Sequence, residues 1–156
     1  MAASKSKNKT VKQRETPKGR SIADVYNPDG YIHEHPAWNF AASDRTMWPF
    51  SQDNAGGVFW GEILPFMKSL EAMTWQEILS RANNNHHFIN PDSLNKVAQD
   101  RLTALHVEAE SIMSLRLTGT HRLYGYMEGA VFHVLWYDPE HGDNDTCVCR
   151  SHRRHT

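Results

Sequence analysis

The sequence predicts an α+β fold, with N-terminal helices packed on a small antiparallel β-sheet formed as a C-terminal meander. Three observations carry this reading. Apolar residues recur at helical spacing between residues 58 and 105, the period changes to two after Ser114, and Glu128-Gly129 separates two strand patterns as a hairpin signal. Helices first and strands afterwards is the order expected of an α+β architecture.

Residues 1–20 carry Lys5, Lys7, Lys9, Lys12, Arg14, Lys18 and Arg20 against the single acid Glu15. Val11 is their only larger aliphatic side chain apart from Met1, too little apolar surface to offset the ordering entropy of the backbone. The segment is expected to be a disordered basic tail, either solubilising or able to bind a polyanion through counterion release. Of the chain's 17 Lys/Arg and 18 Asp/Glu, the remaining residues keep 10 and 17, so a basic tail precedes an acidic body.

Residues 21–57 are rich in Pro, Asn, Asp and Gly but also hold Tyr26, Tyr31, Trp38, Phe40, Trp48 and Phe50. So many rings predict an irregular wrap laid over the core and belonging to the domain. Residues 58–141 form the expected α+β core. Phe59, Ile63, Phe66, Met67 and Leu70 mark an amphipathic helix, which Pro65 kinks unless it lies in the first turn. Thr74 and Glu77 fit a capping box that opens a short helix to about Ala82. Asn83-Asn84-Asn85 stops it, and His86–Ile89 reads as extended. Asn90-Pro91 predicts an N-cap and first helical residue, with a helix to about Leu105 that places Leu94, Val97, Ala98, Leu102 and Leu105 on one face.

Leu115 and Leu117 then alternate with Ser114, Arg116 and Thr118, and Gly119-Thr120 turns the chain. Arg122, Tyr124 and Tyr126 alternate with Leu123, Gly125 and Met127. Ala130–Tyr137 is the most apolar strand and hence central, ended by Asp138-Pro139 because proline has no N–H to donate. Residues 142–156 read as a polar tail.

The chain length suits one domain. No apolar run is long enough to cross a bilayer, and the N-terminus lacks the apolar stretch of a secretion signal. Two cysteines two positions apart cannot make a disulfide framework and favour a reducing interior, so a cytoplasmic location is expected.

Candidate chemistry falls in four places. Cys147, Cys149, His152 and His155 are metal-ligand types, but their spacing is tighter than a finger pattern and no resident metal or other cofactor is expected. His86 and His87, as strand neighbours, point to opposite faces, so one suits a structural bond and the other a groove. Trp38, Trp48 and Trp60 suit core and lid packing better than base stacking. The sheet face is the richest candidate: alternation places Arg116 with Arg122, Tyr124 and Tyr126, joined by either His133 and Tyr137 or Trp136 according to register. Arginines neutralise a phosphate, rings stack bases, and His moves a proton.

The segment LRLTGTHRLYGYMEGAVFHVLWYDPEH, Leu115–His141, resembles the C-terminal sheet of the RelE/ParE/YoeB-type toxin superfamily. Ser114–Glu128 matches that family's Arg-bearing strand and "HR"-containing strand through Arg116, His121-Arg122 and Tyr124. The longer run His86–His141 is also similar to a widespread set of bacterial proteins. The toxin resemblance implies a metal-independent endoribonuclease that cleaves RNA by 2′-hydroxyl attack, partnered by an antitoxin-like protein. It implies Arg116 and Arg122 on the phosphate, His87 or His141 as general acid or base, and Tyr124 orienting the substrate. In the place of the family's usual C-terminal catalytic Tyr or His-Tyr, the resemblance offers His141 or Tyr137. The alternative is a non-enzymatic domain that binds a protein or nucleic acid.

Overall fold

The computed structural model describes residues 30–80, 86–142 and 147–149, all but Gly30 within the unit that begins at Tyr31. The expected basic tail, the start of the wrap, the Asn83–Asn85 stop, His152 and His155 lie outside the described residues.

The fold is α+β, but its sheet is mixed. Strands β1 (Ala37–Asn39), β2 (His86–Ile89), β3 (Ile112–Arg116), β4 (Arg122–Glu128) and β5 (Val131–Asp138) run in the order β1-β5-β4-β3-β2. The meander β3-β4-β5 is antiparallel, and β2 extends it antiparallel from β3. β1 departs from the expected antiparallel sheet by pairing parallel with β5. It comes from the wrap, where three residues among Pro, Asn and Asp leave no alternation to read. Ring burial fixes it: Trp38 packs edge-on against Trp75 and Phe132.

The helices are α1 (Gln52–Val58), α2 (Leu64–Glu71), α3 (Trp75–Ser80) and α4 (Lys96–Ala104). α1 starts six residues ahead of the expected Val58 because Ser51 caps it, its hydroxyl accepting from the Asn54 amide. Gly56-Gly57 lies inside this helix. A π-helical turn, Phe59–Ile63, leads into α2 and leaves Pro65 in the first turn, where a missing N–H is harmless. The capping box forms as expected, Glu77 N–H donating to the Thr74 hydroxyl and Thr74 N–H to the Glu77 carboxylate. The helix expected from Pro91 is interrupted: a 3-10 turn covers Pro91–Ser93, Leu94 is extended, and Asn95 caps α4. Leu94 leaves the helix because it bridges Cys149 and is fully buried. Val97 stays largely exposed, unlike the expected core position.

α1 to α3 cover one face of the sheet, burying Ile63, Met67, Trp75 and Ile78 against Met113, Leu115, Leu123, Phe132 and Val134. α4 covers the other with Leu94, Ala98 and Leu102 on Ile112, Tyr124, Leu135 and Trp136. A β-bulge at Tyr124/Gly125 serves this second face. Tyr124 pairs with Trp136 and Gly125 with Val134, so Leu135 is the extra residue and joins Trp136 in the α4 cluster. Gly125 is required there, because a Cβ would meet the His133 carbonyl and the Phe132 ring.

Asp44 locks the wrap to this face. Its carboxylate accepts two bonds from Arg101 at 2.8 Å each, the Trp136 indole N–H at 3.2 Å, and the amides of Thr46 and Met47. Burial alone would raise its pKa, but the Arg101 guanidinium and the other donors outweigh burial and hold it below the usual carboxylate range. Residues 147–149, expected in a polar tail, are instead buried. Val148 accepts from the Asn95 amide at 2.9 Å and donates to Asp138 at 2.9 Å, which fastens this stretch between α4 and β5. Among the described residues, no helix is long and apolar enough to cross a membrane.

Candidate active site

The register decides which polar side chains share a face. Arg116 lies opposite Arg122, which lies opposite Asp138; one step inward, His87 lies opposite Ser114, Ser114 opposite Tyr124, and Tyr124 opposite Trp136. Directly opposed residues point to the same side, so one end of the α4 face collects Arg116, Arg122, Tyr124 and Asp138. Trp136 therefore joins this face, and Tyr137 belongs to the other, packed in the core under α1 to α3.

His141 reaches this end through the turn after β5. Its amide donates to the Thr120 carbonyl at 3.0 Å, and the Thr120 hydroxyl donates to the Pro139 carbonyl at 2.6 Å. The turn before β4 and the turn after β5 are thus tied together. This places His141 Nδ1 2.8 Å from the Tyr124 hydroxyl and 3.3 Å from the Cys149 thiol. Burial, then the neighbouring Cys149 and Asp138, push the Tyr124 phenol far up. Burial and Cys147 push the Cys149 thiol up to about 12. Both groups stay protonated at neutral pH. The phenol oxygen can donate or accept, so it holds Nδ1 in either protonation state and proton exchange with a substrate falls to Nε2.

Arg122 is almost fully buried, and its guanidinium donates to the carbonyls of Gly119 and His121 at 2.7 and 2.9 Å. Burial, then the charge of Arg116, lowers its pKa. Opposite it, burial raises the Asp138 carboxyl despite the amide donors Val148 and Glu140. Arg122 thus braces the turn and contributes a field, while Arg116 is the exposed cation of the pair.

Of the five residues singled out in the sequence, Arg116, Arg122, Tyr124 and His141 meet at this end. Tyr124 is fully buried and holds His141 where the sequence suggested substrate contact. His87 shares the face but sits on the edge strand, two inter-strand spacings or about 10 Å from the β4 row. His86 points to the α1–α3 side, half-buried near Phe66, and accepts from the Arg116 amide at 3.1 Å.

Cys149 and Asp138 are the members that sequence reasoning missed. The signal for Cys149 was the apolar Val148 between two cysteines, a strand-like triplet inside a polar stretch. The two sulfurs lie 3.3 Å apart, closer than the roughly 3.8 Å implied by two 2.3 Å bonds to a tetrahedral zinc. Among the described residues no His, Cys, Asp or Glu group has the arrangement of a metal site. Comparison with family models, with curated proteins and with solved structures finds no match to this chain.

Proposed function

We propose that this protein is a toxin-like, metal-independent endoribonuclease whose sheet is of the RelE/ParE/YoeB type. The observation that supports it best is the meeting of Arg116, Arg122, Tyr124 and His141 at one end of one sheet face. Arg116 binds the scissile phosphate, and the buried Arg122 adds positive potential behind it. His141 Nε2 takes the 2′-hydroxyl proton, with Nδ1–H then donating to the Tyr124 oxygen. The 2′-oxygen attacks phosphorus, the P–O5′ bond breaks, and the 5′-oxygen leaves with a proton taken from solvent, giving a 2′,3′-cyclic phosphate. Tyr124 is a positioning residue, since its buried hydroxyl reaches His141 and not solvent. The acidic body weakens general attraction for RNA, so contact depends on the local arginine pair and the basic tail.

The test is incubation of the full chain with a structured messenger RNA, with and without EDTA. Cleavage to 2′,3′-cyclic phosphate ends is expected in both, and Arg116→Ala should weaken it and its salt dependence together. Loss of cleavage in EDTA, or a wild-type protein that binds RNA without cutting it, overturns the proposal. The second outcome would establish the non-enzymatic interaction domain instead.

A further inference from the structure

Cys147 and Cys149 stand outside the RNA chemistry, yet they are placed as a pair. The chain bends at Cys147 and Val148 before the bridge from Cys149 to Leu94. Residues two apart in an extended strand point to the same side, about 6.6 Å apart at the Cα atoms. That is the upper end of the range a disulfide spans, and a bend brings the pair toward its commonest spacing of about 5.5–6 Å. Val148 between them is fully buried in the α4 cluster. Besides the two Val148 backbone bonds, the Asn95 side chain donates to the Cys147 carbonyl at 3.3 Å. The Cys147 thiol donates to the Cys149 carbonyl at 2.9 Å, and its sulfur lies 3.3 Å from that of Cys149. The sulfurs are therefore held together by the fold, with His141 Nδ1 at 3.3 Å from the second one.

We propose that Cys147 and Cys149 form a reversible dithiol–disulfide couple, oxidised by a hydroperoxide and joined to the His141 site through the Cys149 sulfur. Cys149 gives its proton to His141 Nδ1 and its sulfur attacks the terminal peroxide oxygen. The O–O bond breaks, the alkoxide or hydroxide leaves and takes the proton from His141, and Cys149 becomes a sulfenic acid. The Cys147 sulfur then attacks Cys149, the S–O bond breaks, and hydroxide leaves with the Cys147 proton as water. Two thiols and one hydroperoxide yield one disulfide, one alcohol or water, and one further water. A thiol reductant reverses the step through a mixed disulfide. Burial keeps the Cys149 thiol protonated at rest, so the neighbouring imidazole is the base that starts the reaction. Closing the disulfide uses the sulfur that now bonds His141, so the oxidation state of the pair reports directly on that ring.

The test reads mass, not cleavage, and so stands apart from the endoribonuclease proposal. The full chain is treated with hydrogen peroxide, quenched, unfolded and alkylated. A loss of about 2 Da with no alkylation is expected, reversed by dithiothreitol. Cys147→Ser should stop at a Cys149 sulfenic acid captured by dimedone, and His141→Gln should slow oxidation about tenfold or more. Circular dichroism of each variant confirms the fold. Two alkylatable thiols after exposure, sulfinic acid on Cys149 with Cys147 untouched, or only disulfides between chains would overturn the proposal.

Discussion

His121 reaches the Tyr137 hydroxyl on the face under α1 to α3, and His141 reaches the Tyr124 hydroxyl on the face under α4. Both phenols are raised above their ordinary pKa by burial, Tyr137 up to about 12. Their surroundings differ. Beside the first pair lies Glu62, which accepts from Thr118 at 3.3 Å and adds to the upward push on Tyr137. Around the second lie Arg116, Arg122 and the Cys149 thiol, with the Asp138 carboxylate opposite Arg122. Glu62 repels a phosphodiester, whereas two arginines against Asp138 leave net positive charge that attracts it, so the same His–Tyr bond suits a structural clasp on one face and proton transfer on the other. The bond does not define a site; the charges around it do.

The faces also differ in what holds them, and substitutions separate those causes. The largest effect is expected from Trp75→Ala, which empties a fully buried position packed on Trp38 and Phe132. Urea unfolding should show a loss of about 3–5 kcal/mol. A cost below about 1 kcal/mol would mean that the α1–α3 face is not the main apolar core.

On the α4 face the counterpart is polar. Asp44→Asn removes the charge that Arg101 pairs with and should cost about 1.5–3 kcal/mol. It should also flatten the acid limb of stability. The folded pKa of Asp44 lies below the unfolded value near 3.9, so its contribution is present above about pH 4 and is lost as pH falls through the folded value. The Cys149 thiol acts at the other end. Its folded pKa near 12 exceeds the unfolded value of about 8.5, so its contribution is present below pH 8.5 and is lost as pH rises toward 12. Chemical unfolding across pH, with Asp44→Asn and Cys149→Ser beside the wild type, resolves the two limbs.

Gly125→Ala tests the bulge that lets both Leu135 and Trp136 serve the α4 face. A cost of about 1–3 kcal/mol is expected from the crowding of the His133 carbonyl and Phe132. The smallest effect is that of Thr74→Ala, about 1 kcal/mol from loss of the α3 cap, with no change at the α4 face.

The meander, its turns and the capping box were readable because each rests on local chemistry. Thr74 with Glu77, Gly119, Gly129 and the alternation from Ser114 are all signals within a few residues. The parallel strand β1 was not readable, because its partner lies far along the chain and no periodicity marks Ala37–Asn39. α1 was hidden by Gly56-Gly57, whose low helix propensity is overridden by the Ser51 cap and the burial of Ala55. At the site, alternation correctly grouped Arg116, Arg122 and Tyr124 but could not say that Arg122 and Tyr124 would be covered. That depends on Cys147–Cys149 folding back over the face, a long-range contact that the polar residues on either side disguise.

The central claim is that one His–Tyr pair moves protons on RNA and the other fastens a hairpin. Single-turnover RNA cleavage by the wild type, His141→Ala and His121→Ala in the presence of EDTA measures it directly. His141→Ala should lose about 10²–10⁴-fold in rate while His121→Ala stays close to wild type. Equal losses in the two variants, or full activity in His141→Ala, would contradict the account.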